Sequence, residues 1–247
     1  MNSEMLAKSY GVTQEIVEKA FELSIESVLC KHLSVGTVIV DMDKKTVLVF
    51  FRVPFNMDYR EALVFNDAIL RADPLCVLFD LAAFPKPIVS QIRNVFSRVL
   101  MDMKDYYEYG TWRPKIHRIV EGLIVDGDDE IVEVNIDGQE STMPKSKWVP
   151  SESSLYRPGQ LMRFCVDNVT AKPFKIFLSR TSLKFPALLL KHELPWHNFT
   201  CTKRYTGQKS FIFTDARLDQ KFAEIRDKIS AELNGEILEI RGFNKRA

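Results

Sequence analysis

Five runs of sequence decide the fold: IVEGLIV at 119–125, EIVEVNI at 130–136, QESTM at 139–143, LMRFCVDNV at 161–169 and KIFL at 175–178. They are short, each of single-strand length, and follow one another closely. Turn chemistry separates them. Asp126-Gly127 and Asp137-Gly138 suit tight hairpins, and Arg157-Pro158-Gly159 precedes the fourth run. Five strands within about 65 residues predict a small β-barrel.

Working outward, the chain upstream reads as an α+β domain. Thr13 is placed to cap a helix running to about Lys31, with Val17, Ala20, Phe21, Val28 and Leu29 at helical spacing. Residues 35–42 and 46–53 flank Asp43-Lys44-Lys45 and predict a hairpin, with Pro54 ending its second strand. A helix is predicted over 60–72 and a buried strand over 75–81. Pro85 and Pro87 then break the chain before a long helix over 88–108, striped by Ile88, Ile92, Val95, Val99 and Met103. Residues 110–114 are the predicted boundary. Downstream of the barrel, 183–194 predict a short helical link, 199–202 and 210–214 two strands around Gly207, 216–233 a helix stopped by Asn234-Gly235, and 236–241 a last strand. The expected modules are 1–112, 113–182 and 183–247.

The 247 residues are 46% hydrophobic and 27% charged, values that exclude a disordered, collagen-like or fibrous chain. The longest apolar runs, 75–79 and 185–190, fall far short of the ~20 residues a bilayer crossing needs. The opening Met1-Asn2-Ser3-Glu4 shows no basic segment leading into an apolar one, so the expected location is cytoplasmic. Cys30, Cys76, Cys165 and Cys201 are scattered, and reduced thiols are expected. The net charge of +1 makes the whole chain no electrostatic glue for nucleic acid, but the charge drifts along it. Residues 1–110 carry 12 bases to 15 acids, 111–182 carry 10 to 10, and 183–247 carry 12 to 8.

Catalytic motifs are absent from the sequence. His192 and His197 stand five apart with Pro195 between them, whereas a zinc-protease helix needs its histidines at i and i+4. Cys30 and His32 have no second pair at zinc spacing. With no Gly-rich phosphate loop or nucleophile elbow either, no enzyme, metal, cofactor or small-molecule substrate is expected.

The run Leu155-Tyr156-Arg157-Pro158-Gly159-Gln160, followed by Ile176-Phe177-Leu178-Ser179-Arg180-Thr181, Leu188-Leu189-Leu190 and Glu193-Leu194-Pro195, resembles the NusA family of bacterial transcription factors. The resemblance implies a polymerase-binding N-terminal domain, an S1-type oligonucleotide-binding (OB-fold) barrel of five strands and an α/β KH-like C-terminal domain. Arg204-Tyr205-Thr206-Gly207-Gln208-Lys209-Ser210 and Ile229 to Ile237 are similar to the start and end of the family's first KH domain. A KH fold grips phosphates with a Gly-x-x-Gly loop between two helices. No glycine lies between Asp215 and Gly235, so the module is expected to be reduced, and no second KH domain is expected within these residues. The implied role is to dock on RNA polymerase and touch single-stranded nascent RNA, modulating pausing, termination or antitermination.

The expected RNA contacts on the barrel are Arg163, Lys175, Phe177 and Arg180. With Ile176 and Leu178 pointing inward, period 2 turns Lys175, Phe177 and Ser179 outward. The alternative is a Phe177 covered by a neighbouring module and charges that are only solvated. Lys203, Arg204 and Lys209 crowd Gly207 in a hairpin that suits phosphate, or forms a plain solvated turn. Glu15, Glu18, Glu22 and Glu26 line one face of the first long helix; a solvated face is the bland reading, and the resemblance makes it a docking face for polymerase. Two other functions stay open: a translation- or ribosome-associated RNA-binding module, and an interaction scaffold that has lost RNA.

Overall fold

The computed structural model describes residues 3–50, 66–72 and 76–242. The chain forms two compact units, Met1–Tyr107 and Glu108–Ala247.

The first unit begins with α1 (Ser3–Tyr10) and α2 (Gln14–His32). Thr13 caps α2 as predicted, its hydroxyl oxygen accepting from the Ile16 N–H at 3.4 Å. β1 (Thr37–Asp41) and β2 (Thr46–Phe50) form the expected hairpin; its calls at 51–53 and Pro54 lie outside the described residues. β3 (Ile69–Ala72) and β4 (Cys76–Asp80) complete an antiparallel sheet of order β1-β2-β4-β3. The helix predicted over 60–72 is corrected where it is described: 66–68 make a single 3-10 turn and 69–72 pair with β4. Hydrogen bonding to a buried neighbouring strand outweighs local helix propensity there. Ile25, Val28 and Leu29 of α2 bury against Val38, Val40, Val47, Val49, Val77 and Phe79, with Ile88 and Ile92 of the next helix. In a second cluster Phe21 stacks obliquely on Phe96, their ring centroids 4.2 Å apart.

That next helix, α3 (Lys86–Trp112), starts at the Pro85/Pro87 break, where a first-turn proline loses no hydrogen bond. It runs through Gly110, so the predicted boundary at 110–114 is an uninterrupted helix followed by a Pro114 turn, and residues 108–112 belong to the second unit.

The second unit holds β5 (Ile119–Gly127), β6 (Ile131–Ile136), β7 (Gln139–Pro144), β8 (Leu161–Ala171) and β9 (Phe174–Ser179), closed into a barrel of order β5-β6-β7-β9-β8. All pairs are antiparallel except β7 with β9, joined at Thr142 and Phe177. Asp137 and Gly138, at φ 52° and 86°, make the predicted two-residue turn, and the Asn135 side-chain oxygen accepts from the Gly138 N–H. The Asp126-Gly127 turn is corrected: β5 continues through both residues, and Asp128 closes the turn by accepting from the N–H groups of Glu130 and Ile131. Ile124, Val132, Val134, Ile136, Met143, Phe164, Val166, Ile176 and Leu178 fill the interior. Trp148 packs over Tyr156, its indole N–H donating to the Met143 carbonyl.

Beyond the barrel follow α4 (Phe185–Glu193), β10 (Phe199–Tyr205), β11 (Lys209–Thr214), α5 (Gln220–Glu232) and β12 (Ile237–Gly242). β10 pairs antiparallel and β12 parallel with β11. α5 starts at Gln220 rather than 216, because the Asp219 carboxylate caps it through the Phe222 N–H. One face of the sheet buries Cys201, Ile212 and Leu238 with Phe185, Leu189, Leu190, Phe222 and Ile229. Cys165 of barrel strand β8 belongs to this same cluster, so the barrel and the C-terminal sheet share a core. Among the described residues, no helix is long and apolar enough to cross a membrane.

Candidate nucleic-acid interface

The three arginines expected to meet RNA are committed to the joint between barrel and C-terminal sheet. Arg180 has no solvent exposure, and neither does Glu152, carried on the 3-10 segment Pro150–Leu155. They form a two-pronged pair, Nε to Oε2 at 2.5 Å and Nη2 to Oε1 at 2.8 Å. Arg180 Nη1 donates to the Arg163 carbonyl in β8, and Nη2 to the Glu232 carbonyl at the end of α5, where a cation also complements the helix dipole. Tyr156 donates its hydroxyl to Glu152, and burial beside that carboxylate pushes the phenol above its usual range.

Arg204 is equally interior. Its Nη1 donates to the carbonyls of Arg180 and Ser182, both at 2.7 Å, and its other edge clasps Glu236. Glu236 also accepts from the Gly207 N–H and the Ser210 hydroxyl. Burial alone would raise the Glu236 carboxyl, but Arg204 and these donors outweigh it and hold it below its ordinary value. Gly207 sits at φ 72°, and a Cβ there would come within 2.7 Å of Ser151 Oγ, so only glycine fits the turn. Both guanidinium groups contact the Phe185 ring, with Arg180 Cζ 5.1 Å and Arg204 Cζ 5.8 Å from its centroid. Arg163 is mostly covered and pairs with Glu232 of α5 and Glu193 of α4. Arg163, Arg180 and Arg204 are therefore structural ties, a correction to the surface roles expected of them.

Ile176 and Leu178 do point into the barrel, with Lys175 exposed and Phe177 half-buried on the other side of β9. Ser179, expected outward, is buried, because it pairs with Cys165 where the C-terminal module covers the strand. On α2, Glu15 is exposed and Glu18, Glu22 and Glu26 are partly so; Glu22 is paired with Lys19 at 2.7 Å.

The remaining surface has two contrasting faces. Residues 119–144, the whole of β5 to β7, contain eight Asp and Glu and no Lys or Arg. Exposed Glu121, Glu133 and Glu140 stand there beside exposed Leu123, Val125 and Ile131, an array that repels a phosphate backbone. The second face is the side of the C-terminal sheet turned away from its core, over which no other described element packs. Register places Lys203 opposite Phe211, Tyr205 opposite Lys209, Phe211 opposite Glu239 and Phe213 opposite Arg241. Alternation along β11 sends Ser210, Ile212 and Thr214 into the core and leaves Lys209, Phe211 and Phe213 on the other side. The Lys203 ammonium sits 4.7 Å from the Tyr205 ring centroid and that of Lys209 4.9 Å from Phe211, while Tyr205 meets Phe211 edge-on at 6.5 Å. Glu239 accepts from Lys209 at 2.7 Å and from Arg241. Sequence reading singled out Lys203 and Lys209 but not Tyr205, Phe211 or Arg241; the alternation in KSFIFT, 209–214, was the signal for the aromatics.

Among the described residues no cluster of His, Cys, Asp and Glu could hold a metal ion. No family model and no curated protein matches the chain. Among solved structures, it is similar to the apo form of Mycoplasma genitalium RNase R at 10% identity and a TM-score of 0.28. That match covers 38% of this chain and 18% of the other, a likeness too slight to assign fold or activity.

Proposed function

We propose that this chain is a non-catalytic RNA-binding factor of the transcription machinery, built on the plan of the NusA family. One observation carries the reading: a closed five-stranded barrel whose fifth strand inserts parallel beside the third, tied to a sheet-and-helix module of order α-β-β-α-β. This supports an S1-type OB-fold followed by a KH-like domain without its glycine loop, in the order the sequence resemblance implies. The α2 glutamates Glu15, Glu18, Glu22 and Glu26 are the docking face for polymerase in this reading. Affinity for free RNA is weak and falls with salt, and docking raises the local concentration of transcript enough to make weak contacts effective.

Affinity purification of the tagged protein from its native cell tests the reading. Recovery of the large RNA polymerase subunits, together with altered pause lifetimes in a transcription assay, is the expected result. Absence of both overturns it. The buried arginines and the acidic wall of β5 to β7 favour a second reading, an interaction scaffold that binds protein and no RNA; polymerase recovery without any transcript crosslink would select it.

A further inference from the structure

We propose that the face of the β10-β11-β12 sheet turned away from its core is a base-stacking platform for single-stranded RNA, with Tyr205 and Phe211 as the rings and Lys203, Lys209 and Arg241 as the phosphate contacts. The inference rests on the RNA-binding reading above and places the grip on the sheet rather than on a Gly-x-x-Gly loop, which residues 216–234 lack.

Three observations converge on this face. Tyr205 is 47% exposed and Phe211 partly buried beside it on the adjacent strand, the arrangement by which an RNA-recognition sheet stacks successive bases. Thr202, Lys203, Tyr205, Phe211, Phe213 and Glu239 border a shallow concavity of about 250 Å3. That is below the ~300–1,000 Å3 of clefts that enclose whole small molecules, and suits a planar ring laid on a surface. The charge is complementary to a phosphate backbone: three cations stand against one carboxylate among the described residues of this face, whereas β5 to β7 offer only acids.

The lysines now resting on the rings do not block the site. An exposed cation–π contact is worth roughly 2- to 5-fold in affinity. A stacked base is worth roughly 5- to 150-fold. A base therefore displaces the ammonium, which is left beside the next phosphate. Glu239 holds Lys209 and Arg241 in place while the face is empty, and a bound phosphate must compete with it.

The test uses the full chain and a short oligouridylate carrying 4-thiouridine. Tyr205→Ala should weaken binding roughly 10-fold with an unchanged melting temperature. Lys203→Gln should flatten the salt dependence by about 0.7 in slope, the value of one single-strand phosphate contact. Glu239→Gln should tighten binding by up to roughly 5-fold, a gain that loss of structure cannot produce. Crosslinked adducts should map to β10 and β11. Adducts confined to the barrel, or binding indifferent to both Tyr205→Ala and Glu239→Gln, would overturn the platform while leaving RNA binding itself intact. A wild-type chain that binds no oligouridylate removes the platform too, whatever its association with polymerase. Loss of polymerase recovery in Tyr205→Ala with RNA affinity unchanged would reassign the face to a protein partner.

Discussion

A guanidinium with no solvent exposure, as at Arg180, has to find all its partners inside the fold. It has four acceptors, two on Glu152 and the carbonyls of Arg163 and Glu232, and removing it strands a buried carboxylate. Arg180→Met should therefore cost about 3–5 kcal/mol. In differential scanning calorimetry of the second unit that is a fall in melting temperature on the order of 10 °C. Glu236 gives a pH signature. Its folded-state pKa lies below its ordinary 4.5, so its stabilisation is complete above about pH 4.5 and is lost as pH falls through the depressed value. Urea midpoints measured from pH 7 to about pH 3 should decline in the wild type, and Glu236→Gln should start lower and decline less. None of this was legible in the sequence. Period 2 gave the right sides for Lys175 to Leu178, but pairing stops at Ser179 and the Arg180 N–H donates to the Lys147 carbonyl instead, so alternation says nothing of where Arg180 points.

At the scale of elements, short runs set between turn residues were enough to find all five barrel strands, and the burial of one side of each then fixes its register. They failed where tertiary contacts decide. Ile69 to Ala72 has no strand signature of its own and becomes one by pairing with β4, and Asp126-Gly127 is drawn into β5 by β6 while a bulge between Ile124 and Asp126 shifts the register. Gly122 in β5 is a further constraint. A Cβ there would lie 2.4 Å from Val134 Cγ1 and 3.1 Å from Ile136 Cγ1. Gly122→Ala should accordingly destabilise the barrel by about 1–3 kcal/mol, seen as a lower denaturant midpoint with an unchanged slope.

For the whole molecule, the charge drift was readable from composition, and the two compact units divide after Tyr107, close to the expected boundary. The boundary was expected at 110–114 because short strands and turns begin beyond it, and α3 runs on through Gly110 because a single interior glycine costs a helix only about 1 kcal/mol. The barrel and C-terminal module looked separable, yet Cys165 sits in the C-terminal core and three arginines cross between them. Residues 108–247 should therefore unfold in one cooperative transition, with barrel and sheet probes coincident. Two resolved transitions would contradict the shared core.

The buried ties also bear on how such a chain can be inherited. Glu152 and Arg180 stand 28 residues apart in sequence, Arg204 and Glu236 stand 32 apart, and Arg163 meets Glu232 across 69. A recombination breakpoint anywhere from 164 to 231 separates at least one charge from its counterpart, and one that splits Glu152 from Arg180 or Arg204 from Glu236 leaves an orphan ion in a dry interior. Moving the cylinder alone into another chain therefore carries the cost of unpaired buried charges, and losing one member of a pair is compensated only by changing the other.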